Sequence, residues 1–81
     1  MLNQFIGLEL NSYSKTKILE TVEKAKKNGI ENVVLTFNIY SITINPSANE
    51  VVLSNDIVFE IPDEVIPLDK FRDAINRFDS E

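Results

Sequence analysis

The chain has no cysteine, no histidine and no tryptophan, and only two of its 81 residues are glycine. Without cysteine there can be no disulfide staple and no thiolate metal site, and nothing marks an oxidising compartment. The lack of both histidine and cysteine excludes Ser–His, Cys–His and imidazole–metal chemistry. Gly7 and Gly29 stand too far apart to build a phosphate-cradling loop or a dinucleotide fingerprint, and no calcium-loop pattern occurs. No apolar run approaches the roughly 20 residues that span a bilayer. The opening stretch MLNQFIGLEL has no basic lead and is interrupted by Glu9, so no signal peptide is read there. A cytoplasmic location is expected.

What is present is the composition of a globular chain, with 43% hydrophobic and 26% charged residues. Residues 1–81 are expected to make one domain, near the lower size at which a single core suffices, burying about 60–65% of the unfolded surface. The net charge of −5 is unevenly placed. Residues 1–45 carry five lysines against four glutamates, whereas residues 46–81 carry nine acids against Lys70, Arg72 and Arg77. An acidic surface repels nucleic acid at long range and favours basic partners.

Residues 5–10 read as a first strand, with Ile6, Leu8 and Leu10 on one face and Phe5 opposed. Residues 15–28 read as a helix. Ser14 suits its N-cap, Tyr13 and Ile18 sit at hydrophobic-staple spacing, and Ile18, Leu19, Val22 and Ala25 make an apolar stripe. Gly29 supplies the left-handed residue that ends it, with Ile30 folding back. The lysines of this helix are read as a solvated face, since Glu20–Lys24 and Glu23–Lys27 have the order and spacing of intrahelical pairs. The segment PLDKFRDAINRF predicts a second helix, with Pro67 in its first turn and Leu68, Phe71, Ala74, Ile75 and Phe78 buried. Before it, IPDEVIP is a rigid connection anchored by Val65 and Ile66.

Between the helices lies FNIYSITINPSANEVVLSNDIVFEI, residues 37–61, in which the apolar alternation breaks. Apolar residues fall on odd positions at Phe37 and Ile39, on even positions at Tyr40, Ile42 and Ile44, and on odd positions again at Val51, Leu53, Ile57, Phe59 and Ile61, with Val52 and Val58 outside the pattern. One reading is a long hairpin of 33–45 and 50–61 closed by NPSANE. It pairs Ile44 with Val51, Ile42 with Leu53 and Tyr40 with Asn55. A β-bulge at Ile39–Tyr40 then restores the pattern, so that Phe37 meets Ile57, Leu35 meets Phe59 and Val33 meets Ile61. The rival is a turn at Ser54–Asp56, where three good turn formers follow one another. The expected class is α+β in the order β-α-β-β-α: a small, mainly antiparallel sheet with the long bulged hairpin, both helices on one face and a largely polar face opposite.

The long hairpin carries a functional expectation. Arms of about 40 Å outrun helices of about 20 Å, so Tyr40, Ile42, Ile44, Val51 and Leu53 would stand bare and meet a partner or a second copy. Paired carboxylates such as Asp63–Glu64 or Asp69–Asp73 fall on a turn or an exposed helix face, with no nucleophile–base pair beside them. Neither catalysis, nor a cofactor, nor a metal is therefore expected. In size, acidity and compactness the chain resembles the small α/β inhibitors that phages make, the anti-CRISPRs among them. The resemblance rests on no motif. It implies a non-catalytic inhibitor or adaptor whose carboxylates occupy a basic, nucleic-acid-binding groove of a larger protein, without direct binding to nucleic acid or membrane. The acids for that role are Glu50, Asp56, Glu60, Asp63, Glu64, Asp69 and Asp73. The alternative is a module that self-assembles through the hairpin tip or an edge strand.

Overall fold

The computed structural model describes residues 1–78. Two helices come first, α1 (Leu2–Glu9) and α2 (Ser12–Asn28). Four strands follow, β1 (Val33–Thr36), β2 (Tyr40–Asn45), β3 (Glu50–Asn55) and β4 (Glu64–Pro67), with one 3-10 turn at Pro46–Ala48. Helix α3 (Leu68–Arg77) is the last element of the described residues. The class is α+β and the sheet is wholly antiparallel, in the order β1-β2-β3-β4. The expected order β-α-β-β-α is corrected to two helices, four strands and a helix.

The first correction lies at residues 5–10, of which 5–9 are helical rather than extended and Leu10 is the extended cap of α1. The alternation of Ile6, Leu8 and Leu10 competes with the spacing of Leu2, Phe5, Ile6 and Glu9, which places four residues on one helical face. The helical reading wins because it buries Phe5 completely, with its ring edge-on to Phe37 at 5.2 Å and to Tyr40 at 5.9 Å. Leu8 stays exposed.

Helix α2 begins one turn earlier than the sequence suggests. Asn11 is its cap: its side-chain oxygen accepts from the Ser14 amide at 2.9 Å, while the Ser14 hydroxyl accepts from the Asn11 amide at 2.8 Å. This reciprocal box takes Ser14 out of the capping position and leaves Tyr13 exposed, so the expected staple with Ile18 does not form. The C-terminal end is as expected, with Gly29 left-handed (φ 64°) and the Ile30 amide on the Ala25 carbonyl at 2.9 Å. Glu23 pairs with Arg72 of α3 at 3.0 Å rather than with Lys27. Lys15 donates to the Asn76 and Phe78 carbonyls, tying the end of α3 to α2.

In the sheet, the expected pairing near the tip is present: Ile44 with Val51, Ile42 with Leu53, Tyr40 with Asn55. Beyond Tyr40 the long hairpin ends. The chain reverses at 37–39, closed by the Phe37 amide on the Tyr40 carbonyl at 2.8 Å. β1 then lies on the free side of β2, with Val33 opposite Ile44 and Leu35 opposite Ile42. The pairs of Phe37, Leu35 and Val33 with Ile57, Phe59 and Ile61 do not form. A bulge and a reversal shift the alternation identically, and the structure takes the reversal. On the other arm the chain leaves the sheet after Asn55, close to the rival turn at Ser54–Asp56.

This shortening removes the overhang. Strands of six residues reach about 20 Å, which helices of 10 and 17 residues, about 15 and 26 Å long, can cover. Tyr40, Ile42, Ile44, Val51 and Leu53 are accordingly buried, none more than 5% exposed. They form one core with Phe5, Ile18, Val22, Ile66, Leu68, Phe71 and Ile75, drawn from all three helices on one face of the sheet. The opposite face shows Thr36, Ser41, Thr43 and Ser54 together with Val34, Val52 and Val65. Among the described residues no helix is long and apolar enough to cross a membrane.

Candidate functional site

The five apolar residues expected at a contact surface are core residues, so the free apolar surface must be sought elsewhere. Leu8, Tyr13, Val34 and Val65 are exposed singly in the sequence, and the densest run of exposed apolar residues is the loop 56–63 between β3 and β4. Ile57, Val58, Phe59 and Ile61 are all exposed there, Phe59 by 84% and Ile57 by 63%. Single exposed apolar residues are ordinary, but four within five positions form a patch. The sequence reading placed Ile57, Phe59 and Ile61 inside the hairpin. The signal that would have found them is the turn chemistry of Ser54, Asn55 and Asp56, which ends β3 before they can pair.

The loop backbone is pinned although the side chains of residues 57–61 are exposed. Asn55 Oδ1 accepts from the amides of Ile57 at 2.9 Å and Val58 at 2.8 Å, a turn built by one side chain. The Asp56 amide donates to the Ile39 carbonyl at 2.7 Å, and the Ser41 hydroxyl donates to the Asp56 carboxylate. The Ile61 amide reaches the Val58 carbonyl at 3.2 Å, and Pro62 stiffens the exit. At the far end Glu64 enters β4 opposite Leu53 and lies 3.4 Å from the Met1 ammonium. A finger held in this way loses little further backbone freedom on binding.

The acids expected at the site divide into groups. Asp56, Glu60, Asp63 and Glu64 lie on or beside the apolar loop. Glu50 sits at the opposite end of β3, and Asp69 is close to it, 3.4 Å from Asn49 Nδ2. Asp73 is exposed one turn further along α3. Between Lys27 and Lys70 the chain has no lysine or arginine, so the sheet and its loops bear carboxylates only. Every cationic side chain belongs to α2 or α3. Among the described residues no three carboxylates are grouped to hold a metal ion.

No family model, no curated protein and no solved structure matches the chain.

Proposed function

We propose that the protein is a non-catalytic binding module that seats the finger 57–61 in an apolar pocket of a larger protein, with Phe59 as anchor. The exposure of Phe59 on a pinned loop is the observation that carries this reading. Asp56, Glu60, Asp63 and Glu64 around it favour a pocket rimmed by lysine and arginine, and they speed encounter with such a surface. They also oppose insertion into an anionic bilayer, and they oppose a two-fold pairing of fingers, which would bring like charges together. A basic groove that holds nucleic acid meets this description, and carboxylates placed there displace phosphate. The protein would then act as an inhibitor, in the manner of the phage inhibitors it resembles.

Position-specific photo-crosslinking tests the reading. A benzophenone side chain at position 59 is expected to trap one partner that the same group at position 24, on α2, does not. With that partner purified, Phe59→Ser should weaken binding roughly 10- to 150-fold, the burial of one large apolar side chain. Association should slow as salt rises. Equal trapping from both positions, or unchanged affinity of Phe59→Ser, overturns the proposal. A mass that rises with concentration and falls back in Phe59→Ser would replace it with self-assembly.

A further inference from the structure

The two edges of the sheet are built differently. β4 ends in Pro67, which has no amide to offer, and it begins with Glu64 just after Pro62. Prolines and charges are the usual means of keeping a stray strand off an open edge. β1 has neither: its sequence is Val-Val-Leu-Thr. The Phe37 amide is bonded to Tyr40, and in an antiparallel ladder the bonded pairs alternate. Leu35 and Val33 therefore spend their backbone groups on β2, while those of Val34 and Thr36 face outward along the edge.

Beside this edge lies a cleft of about 460 Å³ between β1 and the start of α2. Leu35 and Phe37 line it from the sheet, Tyr13 and Lys17 from the helix, with Glu9 and Asn11 at the joint between α1 and α2. Leu35 and Phe37 are half-buried, and Tyr13 is exposed. The Glu9 carboxylate is already held by the Ile39 and Tyr40 amides, which leaves Lys17 as the charged side chain free to meet a ligand there.

We infer that β1 and this cleft form a second binding site, distinct from the finger, which takes an extended peptide segment of another protein by strand addition. The added strand bonds to the outward groups of Val34 and Thr36. Its side chains alternate, so every second one drops into the cleft, where Leu35, Phe37 and the Tyr13 ring receive an apolar group and Lys17 meets a carboxylate. Charge supports this occupant: Lys17 stands on the helix side of a sheet that is otherwise acidic, so the site favours a peptide carrying an apolar residue with an acid beside it. A second copy offers little here, because pairing two four-residue edges buries far less than the roughly 800 Å² per partner of a stable dimer.

The test is selection of a displayed random dodecapeptide library on the full chain, followed by isotope-edited NMR with the enriched peptides. Enriched sequences should share an apolar residue with an acid close to it. They should protect the Val34 and Thr36 amides from exchange while leaving the finger signals unmoved. Methylating the peptide amides that face β1 should weaken binding about tenfold per bond lost, and methylating the others should not. Val34→Pro should weaken it similarly, since its amide is not used by β2. The peptide arm stands even if that variant fails to fold. No enrichment, binding indifferent to amide methylation, or binding that maps to residues 57–61 overturns the inference, and because the finger is read separately, its own failure remains distinguishable.

Discussion

The carboxylate of Glu9, at the end of α1, lies 2.6 Å from the amide nitrogen of Ile39, where the chain turns into β2. The same oxygen accepts from Tyr40 at 3.2 Å, and the residue is buried. Hydrogen bonds to a charged acceptor are the strong kind, and donors left unpaired in the interior are costly. Glu9→Ala should therefore lose about 2–3 kcal/mol of stability by urea unfolding, and Glu9→Gln, which keeps an acceptor, about 1 kcal/mol. A Glu9→Ala protein as stable as the parent would show that water replaces the carboxylate.

The Asn11–Ser14 box should behave as one unit. Each change to alanine is expected to cost about 1 kcal/mol, and the double change less than the two together, because each side chain serves the other's backbone. A double-mutant cycle by chemical denaturation measures the coupling. Strict additivity would mean that the two bonds act alone.

The two glycines should respond with opposite sign. At either position a methyl group would meet nothing within 4 Å, so conformation alone decides. Gly29 is left-handed at φ 64°, and Gly29→Ala should cost about 1–2 kcal/mol. Gly7 lies inside α1, where Gly7→Ala should raise stability by about 0.5–1 kcal/mol. Thermal melting reads both. A stabilising Gly29→Ala would contradict the cap geometry.

Two apolar residues of the same region of the sequence should part company. Ile42 is fully buried, so Ile42→Ala should cost about 2–5 kcal/mol, and Ile42→Asp should abolish folding. Phe59→Asp should leave stability within about 0.5 kcal/mol while removing binding of a hydrophobic dye. If Phe59→Asp proved as damaging as Ile42→Ala, the finger would have to be packed on the core.

Much of the chain was legible because its signals are local. The stripe of α2, its glycine stop and the buried positions of α3 follow from helical period, and the facing of Ile42 and Ile44 on Leu53 and Val51 follows from alternation about a short loop. The candidate site was half legible. Its acids were named, but its apolar residues were assigned to the interior, because a bulge at Ile39–Tyr40 accounts for the same pattern as a reversal there.

By itself, then, the sequence determined which residue types are lacking, the helices α2 and α3, the central strand pair and the placing of every lysine and arginine outside the sheet. These depend on residue identity and on contacts a few positions apart. Only the tertiary structure decided that residues 2–9 form a helix, that β1 turns back along β2 and that Phe59 faces water. The first two choices are settled by distant contacts, the ring of Phe5 against Phe37 and Tyr40 and the Glu9 carboxylate on the amides of Ile39 and Tyr40, while the third goes with the turn that Asn55 builds at the end of β3. Local propensity is balanced at these points, so the burial of a few side chains tips them.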